Sequence, residues 1–355
     1  MKQIVKSKVE GAYSDVNRYP WEKILKDISD EPTLFGHYSA KTLDEASHLL
    51  QVYEYKKAKV ISGGTDILRL RRHKYLSELP EVLINIKTVP HLAYIREEAG
   101  ILKIGALTSL NDLETSELIK SRYGVLAETA SVVGSPQIRN MATIAGSLCQ
   151  DISCLYYRAG KDYYHCWRKG GDNCPAKEGD NRWMFSIFNA PAGCECYATC
   201  QSDIAITLSA LGASIKTTQR TIPIEQFYTP TSPGHILNSD EVIMEIQIPA
   251  LHPRAKAKYT KFSIRKSLDR PLVSVACVTS GVKTKVVFGG VAITPYITDN
   301  VSELLNGKEI DRDLIEKAGL VAVENAIPMS MNAWKVVVMR SLIKRTLLSI
   351  SGMPP

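Results

Sequence analysis

Apolar residues recur at helical spacing in Leu43, Ala46, Leu49 and Leu50, directly after Thr42, whose hydroxyl suits a helix N-cap. A strand is predicted before this helix at residues 35–38. Val60 and Ile61 form a short apolar run into Gly63-Gly64, and residues 82–86 read as another strand, which gives a strand, helix, strand opening. A second unit follows: a strand at 102–104, a helix from Ser109 or Asn111, a helix around 125–133, and a glycine-punctuated segment to Leu148. From Cys149 to Cys200 the periodicity collapses. This stretch reads as a loop-rich insertion organised by something other than a hydrophobic core, with turn signals at Gly170-Gly171-Asp172-Asn173 and from Asn189 to Gly193. Helical spacing returns at 204–211. Strands are then predicted at 242–248, 257–264, 273–279 and 285–293, and a closing helix carries Trp334, Val338 and Leu342 beside Met339, Ile343 and Leu347.

The pattern predicts an α+β protein. With 355 residues the chain suits two or three packed domains. Residues 1–32 are polar, interrupted by Tyr19 and Trp21, and read as an extension. Pro230, Pro233 and Gly234 mark a boundary, so the expected organisation is an extension at 1–32, a first domain at 33–236 and a C-terminal domain at 237–355. The first domain divides into subdomains at 33–90 and 91–236, and the second subdomain contains the Cys-rich insertion at 149–200.

Composition narrows the class. At 45% hydrophobic and 23% charged residues the chain is neither disordered nor fibrous. No run approaches the roughly 20 apolar residues that cross a bilayer, and the N-terminus lacks a signal-peptide pattern, so a cytoplasmic protein without membrane attachment is expected. Its eight cysteines are then not expected to form disulfides. The net charge of +7 is spread along the chain. Its densest run, Arg69, Arg71, Arg72, His73 and Lys74, has no interleaved aromatic residues and reads as a solvated face, with a partner or phosphate contact as the alternative, and not as a nucleic-acid site.

Neither GxGxxG nor GxxxxGK[ST] occurs, which excludes a Rossmann fingerprint and a P-loop. Two glycine turns remain: Ser62-Gly63-Gly64-Thr65-Asp66 after a strand, and Thr143-Ile144-Ala145-Gly146-Ser147. Each is open to two readings, a plain tight turn or a nest of backbone N–H groups for a pyrophosphate, with the Thr65, Thr143 and Ser147 hydroxyls as added donors. Together they resemble the Gly-Gly-Thr-Asp and Thr-Ile-Gly-Gly turns of the FAD subunits of the molybdenum hydroxylase family. Ala145 stands where that family usually has glycine, a substitution that matters only if the position needs positive φ. The resemblance spans residues 35–350. It implies a two-subdomain FAD-binding domain of the vanillyl-alcohol-oxidase/p-cresol-methylhydroxylase type, with the pyrophosphate on both turns, followed by a C-terminal antiparallel sheet with helices. It also implies that Asp203 lies near the flavin's ribityl or ribose hydroxyls and that Lys261 or Leu272 borders the isoalloxazine. Read without the resemblance, Asp203 is a helix N-cap and Lys261 and Leu272 are ordinary strand residues.

The insertion holds seven of the eight cysteines. Cys154 with Tyr156-Tyr157, Tyr164-His165-Cys166, Asp172-Asn173-Cys174 and Cys196-Tyr197-Ala198-Thr199 resemble the flavin subunit of the 4-hydroxybenzoyl-CoA reductase subgroup, which implies a 4Fe–4S cluster on Cys154, Cys166, Cys174 and Cys196. Four soft thiolates in a loop suit such a cluster, and its binding would supply folding energy that burial does not. Eleven, seven and twenty-one residues separate these cysteines, and the long last gap leaves Cys194 and Cys200 as substitutes for the fourth ligand. A zinc site and inert buried thiols are the competing readings, although only the 194–200 segment approaches zinc-knuckle spacing. Cys149 and Cys277 read as core residues. His37, His73, His91, His165 and His235 have no metal-ligand spacing.

The resemblance further implies an electron-relaying oxidoreductase subunit with no catalytic acid, base or nucleophile of its own. Its partners would be a molybdenum-cofactor large subunit and a small subunit with two 2Fe–2S clusters, in a dimer of heterotrimers. Ferredoxin or NAD would be the external carrier. Four functions stay open at this point: an inward relay from a low-potential donor, outward flow in an aldehyde or purine dehydrogenase, a stand-alone flavin oxidase, and a metal-stabilised scaffold.

Overall fold

The computed structural model describes residues 36–72, 80–159, 163–266 and 268–354. The extension at 1–32, Phe35 of the first strand, and His73 and Lys74 of the basic run lie outside the described residues. The remainder of the chain, from residue 36, is described as one unit.

The opening unit contains β1 (Gly36–Ser39), α1 (Leu43–Val52), β2 (Lys59–Ile61), α2 (Ile67–Arg72) and β3 (Val82–Asn85). Its three strands form a parallel sheet in the order β1-β3-β2. Thr42 caps α1 as its sequence position predicts, accepting the Glu45 N–H at 3.1 Å. That cap orients the helix so that Ala46 and Leu50 pack with Val82 and Ile84 in a small separate core. The chain leaves β2 at Ile61 directly into the first glycine turn.

The second unit is larger. β4 (Ile95–Glu98) and β5 (Ile101–Gly105) lead into five short helices: α3 (Leu110–Thr115), α4 (Glu117–Arg122), α5 (Gly124–Ser131), α6 (Pro136–Met141) and α7 (Ile144–Leu148). After the Cys-rich insertion come α8 (Asp203–Ala210), β6 (Ser214–Thr217), β7 (Thr221–Pro223), α9 (Ile224–Phe227) and β8 (Ile243–Pro249). The strands make an antiparallel sheet in the order β4-β5-β8-β6-β7. Chain position groups β8 with the last third, but its pairing puts it in the middle of this sheet, between β5 and β6. A division at 236–237 therefore cuts through the sheet. Alternation along β8 buries Ile246 and Ile248 whichever sheet receives it, so the pattern cannot choose the neighbour.

The last unit is the predicted antiparallel sheet with helices. β9 (Lys256–Phe262), β10 (Val273–Thr279), β11 (Thr284–Gly289) and β12 (Tyr296–Ile297) pair in reverse order, and α10 (Asp299–Leu305), α11 (Arg312–Val321) and α12 (Trp334–Ser351) cover them. Met339, Leu342, Ile343 and Leu347 of α12 pack with Val273, Val275 and Phe288 of the sheet. Cys277 is fully buried there, as expected, whereas Cys149 is only partly buried against the main core. Among the described residues no helix is long and apolar enough to cross a membrane.

Among the described residues of 149–200 the helical segments are two single 3-10 turns, Trp167–Lys169 and Pro175–Lys177. The insertion is tied down by backbone bonds to the last unit: the Ile187 N–H donates to the Val291 carbonyl at 3.0 Å and the Cys200 N–H to Ala292 at 2.8 Å. Lys335, fully buried on α12, donates to the Phe185 carbonyl at 2.9 Å and the Gly290 carbonyl at 2.6 Å.

Candidate functional site

The two glycine turns meet. Ser62 Oγ lies 3.0 Å from Thr143 Oγ1, and a Cβ on Gly63 would fall 1.8 Å from the Met141 carbonyl oxygen. Only glycine permits that approach, and Gly64, with φ of +71°, supplies the left-handed residue the turn requires. The turns do different work. In the second, the Ile144 N–H donates to Thr108, the Ala145 N–H to Ala106, and the Gly146 N–H to Thr143 Oγ1. The Ser147 hydroxyl is also engaged, donating to the Thr143 carbonyl at 2.9 Å. These groups brace the turn. In the first turn, by contrast, the N–H groups of Gly63, Gly64, Thr65 and Asp66 have no acceptor among the described residues, which leaves open donors of the kind an anion nest uses. Ala145 lies inside α7 and is not among the positive-φ residues, which explains why alanine fits there.

Both turns border a cavity of about 800 Å³, lined by Thr65, Asp66, Gly146, Ser147, Asp203 and Leu272 among the residues expected from the sequence. Ser62, Gly63, Gly64, Thr143 and Ala145 adjoin these residues in the chain and are not themselves in the lining. Arg69, Arg158 and Arg270 also line the cavity: Arg69 belongs to the basic run whose alternative reading is a phosphate contact, Arg270 opens a segment that resembles the family's flavin-facing strands, and Arg158 carries no signal in the sequence. Asp66 gathers them. Its Oδ1 accepts from Arg158 Nη2 at 2.9 Å with Arg270 Nη2 at 3.6 Å, and its Oδ2 accepts the Asp151 N–H at 2.9 Å. Burial, reinforced by Arg158, lowers Arg270 to about 10, which leaves it charged near neutral pH.

The buried Arg158 keeps its Nη1 without a partner among the described residues. An open nest, an orphan guanidinium N–H and four lining arginines, Arg69, Arg158, Arg265 and Arg270, against the carboxylates Asp66, Asp203 and Asp269 suit the diphosphate of a dinucleotide. The cavity volume lies within the range of cofactor sites. FAD therefore fits the residues present.

Asp203 is not the N-cap of α8. Ser202 is, accepting the Ala205 N–H at 3.2 Å, which leaves the Asp203 carboxylate free to turn inward. There Tyr259 donates a short hydrogen bond to Oδ1, and Lys261 Nζ lies 3.2 Å from Oδ2. Burial pushes the Asp203 carboxyl up, opposed chiefly by Lys261, and burial with the Asp203 charge pushes the Tyr259 phenol well up. Lys261 also donates to the Val132 carbonyl at 2.8 Å. It supports Asp203 from behind and is absent from the cavity lining, so of the two residues expected at the isoalloxazine only Leu272 reaches the wall.

Cys154, Cys166, Cys174 and Cys196 share one buried cluster with Tyr156, Tyr157, Phe185 and Cys194. Burial pushes the Cys154, Cys166 and Cys196 thiols up, and each is opposed by backbone N–H groups two or three residues further on: Tyr156 and Tyr157 at Cys154, Arg168 and Lys169 at Cys166, Ala198 at Cys196. Such donors favour a thiolate over a thiol. Cys196 also feels Cys166 and Cys174, and Cys154 feels Cys196 and Cys166, so the four sulfurs form one electrostatic group. The Cys194 sulfur likewise accepts a backbone N–H two residues on, that of Cys196 at 3.4 Å, and lies 3.8 Å from both the Cys196 and Pro230 carbonyls. Cys200 faces Asp203 and Tyr228 instead. Among the described residues no three His, Cys, Asp or Glu side chains converge on a point suited to one metal ion. Cys154 also lines the flavin cavity.

Over residues 33–251 the chain matches the family described as the FAD binding domain in molybdopterin dehydrogenase, and over 258–350 the CO dehydrogenase flavoprotein C-terminal domain. The chain belongs to this family, as an FAD-binding subunit of the molybdenum hydroxylase type. It is 32% identical over 311 residues to the aldehyde oxidoreductase FAD-binding subunit PaoB of Escherichia coli K12, covering 82% of this chain and 90% of that one. It is 41% identical over 114 residues to the nicotinate dehydrogenase FAD-subunit of Eubacterium barkeri, a match spanning 32% of this chain and only 38% of that relative. Among solved structures, carbon monoxide dehydrogenase from Hydrogenophaga pseudoflava shares the fold, with a TM-score of 0.70 at 23% identity, covering 91% of this chain and 99% of that one.

Proposed function

We propose that this chain is the electron-relaying subunit of a molybdenum hydroxylase complex, binding FAD and a 4Fe–4S cluster in the manner of the 4-hydroxybenzoyl-CoA reductase β subunit. Cys154, Cys166, Cys174 and Cys196 hold the cluster. The observation that carries the reading is the single buried cluster that holds these four thiols together with Cys194, with Cys154 also bordering the flavin cavity. Its partners are a molybdenum-cofactor large subunit and a small subunit with two 2Fe–2S clusters, assembled as a dimer of heterotrimers. Ferredoxin or NAD serves as the outside carrier.

The first-turn N–H groups, with Arg158 and Arg270, hold the pyrophosphate, and Asp203, kept in place by Tyr259 and Lys261, meets the cofactor's hydroxyls. Leu272 shields the ring side of the cavity from water. Bound FAD exchanges single electrons with iron–sulfur clusters and electron pairs with a pyridine nucleotide. The protein residues set position, charge and dielectric, and substrate chemistry belongs to the partner subunit.

The test is iron, sulfide and flavin analysis of the anaerobically purified complex, with its visible spectrum. About four irons on this chain per FAD are expected. Flavin without iron on this chain refutes the cluster assignment. A second reading, outward electron flow in an aldehyde dehydrogenase, is supported by the 32% identity to PaoB along most of both chains. Reduced ferredoxin and NAD, compared as partners of the same complex, separate the two directions.

A further inference from the structure

We propose that the Cys-rich insertion builds the flavin-ring end of the cavity, with Trp183 stacking on the isoalloxazine and the amide oxygen of Gln201 accepting from its N3–H. This deepens the reading that FAD fills the cavity and is independent of the cluster. Trp183 is the one aromatic side chain in the lining among the described residues. The fold holds it there. Asn181, fully buried two residues earlier, donates to the Ala176 carbonyl at 3.0 Å and accepts the Met331 N–H at 2.9 Å. Trp334 donates from Nε1 to the Arg182 carbonyl at 3.0 Å, and its ring lies 5.8 Å from that of Trp183. Phe262 backs Trp334 at 5.9 Å, and the Phe262 carbonyl accepts the Leu272 N–H at 2.9 Å. Trp183 and Leu272 therefore belong to one end of the cavity. Ile264 and Leu268, exposed on its rim, put that end at the surface, within reach of an outside electron carrier.

Gln201, which closes the insertion, lines the same end. The neighbouring Cys200 carbonyl accepts the Gly290 N–H at 3.0 Å, and Gly290 is pressed against Leu272, where a Cβ would fall 2.5 Å from the Leu272 carbonyl oxygen. The Gln201 side chain is buried. Its Nε2 is turned to the Met184 sulfur, a weak acceptor, and its Oε1 has no partner among the described residues. A buried amide oxygen without a donor is costly, so a donor on the cavity's occupant gains more there than in water. An isoalloxazine offers one. Its flat apolar body suits the Trp183 face and Leu272, and its pyrimidine edge carries the N3–H that Gln201 lacks. The remaining end of the cavity, where Arg158 and Arg270 gather at Asp66, is left for the diphosphate.

The experiment reconstitutes the flavin-depleted complex with FAD, N3-methylated FAD or an etheno-adenine FAD, and reads dissociation constants and the visible circular dichroism of the bound flavin. Wild type should bind FAD about tenfold more tightly than its N3-methylated form. Gln201→Ala, which loses the acceptor and makes room for the methyl group, should bind the two alike. If Gln201→Ala fails to fold, Gln201→Met keeps the volume, removes the amide and carries the test. Trp183→Leu should weaken FAD binding roughly three- to tenfold and change the flavin dichroism, while Trp183→Phe stays near wild type. A wild type that binds both flavins alike, or N3-methyl discrimination that survives the loss of the amide, overturns the role of Gln201. Trp183→Leu with wild-type affinity and dichroism overturns the stacking. Discrimination against the etheno-adenine FAD that disappears in Gln201→Ala puts adenine at this end and overturns both. A wild type that takes up no FAD removes the reading beneath them.

Discussion

Ser62 and Thr143, 81 positions apart, share a hydroxyl contact of 3.0 Å that fastens the first glycine turn to the second. The contact exists because Gly63 lets the backbone press against Met141. The flavin cradle is therefore one piece of structure made from two subdomains, and what holds the turns together also shapes the nest.

Gly63→Ala should break that junction. Its Cβ would sit 1.8 Å from a carbonyl oxygen of the adjoining segment, a backbone clash that no rotamer change relieves. The expected outcome is protein with strongly substoichiometric FAD and a lowered melting temperature. Flavin absorbance per chain and thermal unfolding measure the two effects.

Ala145→Gly is the opposite case. Ala145 occupies a helical position, so restoring the family's usual glycine brings no conformational benefit and loosens α7 by about 0.5–1 kcal/mol. FAD content should be unchanged while stability to urea falls. A gain in FAD affinity would mean that the cofactor demands a backbone geometry different from the one described.

Much of this was readable from the sequence because it is local. The Thr42 cap, the strand Val273–Thr279 and the aperiodic insertion depend on neighbours in the chain, and each appears where the pattern predicts it. The paired turns were legible through resemblance, but the division of labour between them was not, since it depends on Ala106 and Thr108 accepting the second turn's N–H groups. Asp203 looked like a cap because its partners, Tyr259 and Lys261, are more than fifty residues distant. Arg158 lies in a segment without periodicity, where pattern gives no face to a side chain. Lys335 was findable: it precedes Met339, Leu342 and Thr346 at spacings of four, three and four on the buried stripe of α12.

The cysteines separate by serine substitution. Cys154→Ser, Cys166→Ser, Cys174→Ser and Cys196→Ser should each lose the cluster or most of its iron. Cys194→Ser and Cys200→Ser should keep it, because the Cys194 sulfur is engaged within its own loop, by the Cys196 N–H at 3.4 Å and two carbonyls at 3.8 Å, and Cys200 is near Asp203 and Tyr228. Iron per chain decides, and loss of iron in Cys194→Ser with retention in Cys196→Ser would exchange the fourth ligand.

Lys261→Met should be costly, because it leaves the Asp203 carboxylate buried with Tyr259 as its remaining side-chain donor. Removing one member of a buried ion pair costs roughly 3–5 kcal/mol, whereas removing both costs less than the sum. Urea unfolding of Lys261→Met, Asp203→Asn and the double variant gives the coupling directly. Additive losses would show that the two groups act independently.

Lys335 carries a pH signature. It is fully buried, and desolvation lowers its ammonium to about 7. In the unfolded chain the same group titrates near 10.4, so between these values the unfolded state holds a proton that the native state releases. The contribution of Lys335 is thus complete above the unfolded value and is lost as pH falls through the native one. Unfolding free energy should rise by about 2 kcal/mol between about pH 7 and pH 9 on account of this group. Lys335→Met removes the titration while keeping the apolar stem, so its stability profile should be flatter by that amount over the same interval, even if its overall stability is lower. Parallel profiles would mean that the two accepting carbonyls, Phe185 and Gly290, hold the ammonium charged inside the protein. Lys335 would then fasten the insertion to the C-terminal sheet as a buried cation, with no dependence on proton release.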